Sequence, residues 1–203
     1  MKGLQLVKKT YFVIALIFGI LIVVKSKDYL FPNFNYGFLV GKKNIFFFYK
    51  FFLYAHIIGA PIALFTGLIQ FTFKNSKLHP AFGKAYILSV LILAAPSGLI
   101  MSFYAKGGFL GILNFLILSI LWWIFSYKAY TFIKNGNVKR HKEMMIRSFI
   151  LANSAVGLRL LGFINHEFQL FNIDYAYLII SWFSWLPAYI FYEILLIKKK
   201  IQL

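Results

Sequence analysis

The sequence predicts an all-α, polytopic membrane protein: a bundle of six transmembrane helices with both termini in the cytoplasm. Three observations carry that expectation. First, 61% of the 203 residues are hydrophobic and 21% are aromatic, and the mean hydropathy is +0.77. A soluble domain of this length has too much surface to hide so much apolar material from water. Second, the apolar residues fall into six runs, each long enough to cross ~30 Å of hydrocarbon at ~1.5 Å per helical residue. Third, the basic residues lie between those runs, as membrane-flanking charges do, and form no stripe on a polar fold. The formal charge of +17 therefore points to a lipid bilayer as partner and not to nucleic acid.

Taken in order, the spans are about 8–25, 46–73, 80–104, 108–133, 142–165 and 175–197. The first follows Lys2, Lys8 and Lys9 and has about the length of a signal-peptide core. Lys25, Ser26, Lys27 and Asp28 follow it in place of a small-residue cleavage site, so it reads as a retained helix. The connection after it contains Pro32, Asn33, Asn35 and Gly37, and its Phe and Tyr content suits the interface. The later breaks are marked by Asn75 and Ser76, by Gly107 and Gly108, by Asn135, Gly136 and Asn137, and by Asn172 and Asp174. Trp122, Trp123, Trp182 and Trp185 read as lipid-facing and interfacial anchors. No internal repeat, phosphate-binding glycine loop, HExxH or nucleophile elbow is visible, and the whole chain, 1–203, is expected to be one domain.

Six spans put both ends on one side. That side carries fifteen Lys and Arg, from Lys2 through the cluster Lys128, Lys134, Lys139, Arg140, Lys142 and Arg147 to Lys200. The other carries six: Lys25, Lys27, Lys42, Lys43, Lys50 and Lys106. The positive-inside rule then places both termini in the cytoplasm. There is no cysteine, which removes disulfides, thiolate metal sites and thiol nucleophiles.

With depth assigned, the polar residues inside the spans become the informative ones. His56 falls toward the outer end of the second span, His79 and His141 at the cytoplasmic boundary of the third and fifth, and His166 where the fifth leaves the outer face. On the second span His56, Gly59, Ala63, Gly67 and Gln70 share one narrow stripe, where small residues allow close approach of a backbone or a flat ring. On the third, His79 precedes Pro80 and reads as a cap, with Gly83, Tyr86, Val90 and Ser97 roughly below it. His141 and Arg159 are eighteen residues apart, five whole turns, so an unbroken fifth helix puts them on one face. A mid-membrane arginine costs ~2.5–3.5 kcal/mol on insertion scales. Arg159 is therefore expected to turn inward, toward Gln70, Asn153, a backbone carbonyl, water or an anionic ligand, in a polar seam among helices two, three and five. Arg147 is nearer the boundary and reads as snorkelling, so depth ranks Arg159 above it in importance. His166 reads as an ordinary loop residue.

The segments HIIG (56–59), GLIQF (67–71), LHPAFGKAY (78–86), RHKEMMIRS (140–148) and LRL (158–160) together resemble a bacterial family of multi-pass membrane proteins known only as domain of unknown function 2306. The resemblance spans residues 50–165. It marks positions matching His56, Gly67, Gln70, His79, Gly83, Tyr86, His141, Arg147 and Arg159, and leaves His166 outside the pattern. It implies the bacterial inner membrane and no particular chemistry. More loosely, the layout resembles transmembrane b-type cytochromes, with the difference that their ligands lie within the helices in matched inner and outer pairs.

Three functional readings follow. One is a haem-b electron carrier ligated by His79 and His141, with Arg and Lys meeting propionates and the glycine stripe receiving the macrocycle. The second is a metal site of His56, His79 and His141, against which stands a separation of ~20 Å along straight helices. The third is a binding or assembly role, with the seam holding a lipid, a quinone, a second copy of the chain or another membrane subunit. Transport has weaker support, since no broken-helix repeat is visible.

Overall fold

The computed structural model describes residues 2–35, 37–73, 77–171 and 173–201, and every regular element among them is helical. The helices are α1 (Lys2–Ser26), α2 (Phe46–Thr72), α3 (His79–Leu88), α4 (Ala95–Ser102), α5 (Gly108–Lys134), α6 (Val138–Ala152), α7 (Ser154–Phe168), α8 (Ile173–Phe183) and α9 (Leu186–Ile201). Six stretches are long and apolar enough to cross a bilayer: Lys9–Leu30, Lys43–Thr72, His79–Ser102, Gly108–Lys134, Val138–Phe168 and Tyr175–Lys198. They coincide with the six spans read from the sequence. The expected breakers Asn75, Ser76 and Asn172 lie outside the described residues.

The chain forms two compact units, Met1–Met101 and Ser102–Leu203. In the first, α2 packs against α1 and against the third span. At Gly19 a methyl group would stand 3.1 Å from the Phe65 ring, so α1 crosses α2 closely there. The third span is not a uniform α-helix. Residues Ser89–Ala94 form a π-helical turn between α3 and α4, in which the Ala95 N–H reaches back five residues to the Val90 carbonyl. The cause is Pro96. It has no N–H, and its ring would collide with the carbonyl four residues earlier, so the wider turn makes room. Hydrocarbon cannot satisfy main-chain groups left over by such a defect. Here side chains take part of that role: the Ser89 hydroxyl donates to the Tyr86 carbonyl at 2.9 Å, and the Ser97 hydroxyl donates to the Leu93 carbonyl. Pro61, by contrast, sits inside α2 without interrupting it.

The connection before α2 holds three short 3-10 turns, Lys27–Leu30, Gly37–Leu39 and Lys43–Ile45. Lys42 within it is not a solvated flanking charge. It is 4% exposed, donates to the Phe38 carbonyl at 2.9 Å, and lies 4.5 Å from the Phe38 ring centroid. The attraction of an ammonium for the ring faces and a charged hydrogen bond together offset its burial.

In the second unit α5 and α6 form an antiparallel hairpin around Asn135, Gly136 and Asn137, with Gly136 at φ +72°, where only glycine is unstrained. The fifth and sixth spans are both interrupted. Asn153 separates α6 from α7, and its side-chain amide donates to the Phe149 carbonyl at 2.7 Å, a local bond that competes with the helix ladder. Ser184 and Trp185 separate α8 from α9 just before Pro187, as expected from the proline's missing N–H and its effect on the preceding residue. The Ser184 carbonyl lies so near Gly157 that an added methyl would approach it to 2.5 Å, so α7 crosses the sixth span at this break. The eighteen-residue alignment of His141 with Arg159 assumed an unbroken helix, and the interruption at Asn153 removes it. Two tryptophans also depart from expectation. Trp122 and Trp185 are core residues, 4% and 2% exposed, whereas Trp123 is exposed as an anchor should be.

Candidate functional site

Each unit places one histidine in the same chemical setting. In the first, His56 is half-buried on α2 and its Nδ1 lies 2.9 Å from the Ala94 carbonyl and 3.3 Å from the Ser97 hydroxyl. A carbonyl only accepts, so the ring carries its proton on Nδ1 and keeps Nε2 as the basic nitrogen. The approach is possible because Gly59, one turn further along α2, offers no side chain to the π-helical turn. A methyl there would come within 2.5 Å of Leu93 Cβ and 3.0 Å of the Ala94 nitrogen. The defect caused by Pro96 thus sits against a histidine and a glycine of α2.

In the second unit, His141 is half-buried on α6 and its Nδ1 lies 2.8 Å from the Ala129 carbonyl of α5. The same tautomer follows. About one turn further in along α5 and two along α6, the fully buried Ser126 and Ser148 share a hydrogen bond of 2.7 Å across the same pair of helices.

The remaining sequence-derived residues divide plainly. Gln70 is buried and its side-chain amide donates to the His79 carbonyl. A methyl on Gly83 would stand 3.2 Å from that amide nitrogen. Tyr86, Val90 and Ser97 are buried, so the line below His79 is an inward face of the third span. His79 itself is the first residue of α3, with Leu78 at the cap position, one residue earlier than expected. Gly67 is buried on α2. Helices two and three therefore do bring their polar stripes together. The stripe is filled by protein at Gly59, so it does not receive a flat ring there.

The arginines exchange roles. Arg147 does not snorkel. It makes a two-pronged ion pair with Glu193 of α9, Nε to Oε1 at 2.5 Å and Nη2 to Oε2 at 2.9 Å, with the Arg147 side chain only 12% exposed. The planar fork of the guanidinium suits a carboxylate in this way. Arg159 was expected to be enclosed. Its side chain is exposed, and Nη1 donates to the Ala155 carbonyl of its own helix at 3.1 Å. His166 is exposed beside Glu167, but it lies in the last turn of α7 and not in a loop as expected.

Among the described residues no group of three or more His, Asp or Glu is placed to hold a metal ion, so the set His56, His79 and His141 is not assembled as a bare-ion site. Within the first unit the reason is simple: His56 and Gln70, which meets His79, are fourteen residues or about 21 Å apart along α2. Sequence reasoning missed the partners of these residues, above all Glu193 and the Ala94 and Ala129 carbonyls. It also missed Asn114, fully buried on α5, which accepts from Trp185 Nε1 at 2.9 Å.

Six apolar helical spans with a sparse set of paired polar groups inside them define a multi-pass α-helical membrane protein. The chain matches, over residues 53–196, the family described as predicted membrane protein DUF2306, and it belongs to that family. No curated protein and no solved structure gives a significant match.

Proposed function

We propose that this membrane protein holds haem b in each unit separately, through one histidine whose tautomer the main chain fixes: His56 in the first unit, in place of the His79 expected from the sequence, and His141 in the second. One observation carries the reading: both rings give Nδ1–H to a backbone carbonyl of another helical segment, at 2.9 and 2.8 Å. That bond orients an imidazole and raises the basicity of Nε2, as the hydrogen bond to the other ring nitrogen of a ligating histidine does. Each unit offers one imidazole oriented in this way. Zinc or copper takes three or four side chains, whereas a porphyrin brings four nitrogens and asks the protein for one or two imidazoles. The donor chemistry therefore fits the group, and Gly59 is excluded as part of its cradle. Bound there, haem b supplies one-electron chemistry at iron. The residues of the chain hold and orient it, and the apolar spans exclude water.

The family match over residues 53–196 takes in part of each unit, which supports reading the two as parts of one functional domain. The excess of basic residues on one set of connections supports cytoplasmic termini in the bacterial inner membrane.

The test is an absorption spectrum of the full chain purified after haem-replete expression. A Soret band is expected, with less haem per chain in His56→Ala and in His141→Ala. A colourless wild-type preparation ends the reading.

A second reading, a subunit of a membrane complex, is favoured by Arg159. It is exposed on α7, nine residues or about 13 Å before that helix ends, inside a span long enough to cross the bilayer. Exposure at that depth suits a protein surface better than acyl chains. Arg159→Leu should change the mass of the detergent-solubilised assembly; an identical mass argues against this role.

A further inference from the structure

The α5–α6 turn carries a concentration of charge that the haem reading does not use. Lys128, Lys134, Lys139, Arg140 and Lys142 are all exposed, and residues 128–142 contain no Asp or Glu. The nearest acid in sequence, Glu143, is half-buried. The turn between the helices is three residues long, so the end of α5 and the start of α6 present these charges together. Two of them are braced by aromatic rings. The Arg140 guanidinium lies 5.5 Å from the Phe132 ring centroid, and the Lys134 ammonium 5.7 Å from that of Tyr130. Asn137 caps α6 by accepting the Arg140 N–H at 3.1 Å, which fixes the backbone from which Arg140 projects. The patch closes two spans of transmembrane length, so it stands at headgroup level when those spans cross a bilayer.

We infer that this turn is a docking surface for anionic phospholipid headgroups. The occupant follows from charge and position. Five cations without an acid repel one another unless anions sit among them, and at the end of two membrane spans the abundant anion is a lipid phosphate. Rings at the same level are suited to the upper acyl and glycerol region. Other exposed basic residues, such as Lys25, Lys27 and Lys43, are fewer per segment, and Asp28 lies beside the first two.

The experiment uses the full chain in detergent, titrated with phosphatidylglycerol or phosphatidylcholine, with bound lipid counted by native mass spectrometry. Wild type should prefer phosphatidylglycerol. Each neutralised charge near an anionic surface weakens association roughly five-fold, so Lys139→Gln, Arg140→Gln and Lys142→Gln combined should lower that preference at least ~10-fold. The charge-keeping set Lys139→Arg, Arg140→Lys and Lys142→Arg should retain it, as should the distant set Lys25→Gln, Lys27→Gln and Lys43→Gln. An unchanged preference in the neutralised variant overturns the assignment, and so does its loss in the charge-keeping one. Millimolar inorganic phosphate is the last arm. If phosphate displaces phosphatidylglycerol completely, the patch reads a free anion and the lipid assignment fails.

Discussion

Replacing Gly59 with alanine tests the contact on which the His56 geometry rests. The added methyl would lie 2.5 Å from Leu93 Cβ, 3.0 Å from the Ala94 nitrogen and 3.3 Å from the Ser89 carbonyl oxygen. None of these atoms is the free end of a flexible side chain, so the two helical segments must separate. Carbon atoms rest at ~3.5–4.0 Å, which requires a displacement of about 1 Å or more. Added to the 2.9 Å of the His56–Ala94 contact, that shift carries it beyond hydrogen-bonding range. Overpacking costs ~1–3 kcal/mol and the lost hydrogen bond ~0.5–1.5. The better helix propensity of alanine returns ~0.5–1. The net expectation is a destabilisation of about 1–3 kcal/mol. Gly162→Ala is the control, because a methyl there meets nothing within 4 Å, and it should be neutral or slightly stabilising. Both variants would be unfolded by heat or by SDS in detergent micelles and followed by helical circular dichroism, with the His56 ring nitrogens followed by NMR. If Gly59→Ala is as stable as Gly162→Ala and the ring shifts are unmoved, the account of the π-helical turn is wrong.

Two further outcomes follow from the second unit. Arg147→Leu strands the Glu193 carboxylate and should cost ~1–3 kcal/mol, less than a fully enclosed pair because Glu193 keeps some solvent contact. Arg147→Leu with Glu193→Leu should recover much of that loss, and a double-mutant cycle measured by SDS unfolding reads the coupling. Ser126→Ala should cost ~1 kcal/mol by leaving a buried hydroxyl without its cross-helix bond. A double-mutant cycle with Ser148→Ala should show coupling between the two changes, and a fully additive pair would show that the two hydroxyls do not act together.

The long-range arrangement of spans was legible because runs of apolar residues and their basic flanks are strong signals in a chain with few competing polar residues. The α2 stripe was legible for a similar reason: His56, Gly59 and Gln70 stand out against Phe, Leu and Ile, and all three make inter-helix contacts. Interruptions were not. Asn153 is a weak breaker that acts through a side-chain bond to its own helix, and a proline such as Pro187 need not break a membrane helix, since Pro61 sits inside α2 without interrupting it. The two arginines were ranked by depth alone, and depth does not say which way a side chain faces when both faces of a helix are apolar. Nothing in the sequence neighbourhood of Glu193 singles out Arg147, forty-six residues away, as its partner.

The distribution of indole rings has a practical consequence. Trp122, Trp123, Trp182 and Trp185 all belong to the second unit, and the first 101 residues contain none. Emission excited selectively at the red edge of protein absorption therefore reports one half of the chain, while far-ultraviolet dichroism reports both. Trp185, enclosed and hydrogen-bonded to Asn114, is the natural source of its bluest component. Melting curves from the two signals will superimpose if the halves unfold as one cooperative body and will diverge if they do not. No label is needed.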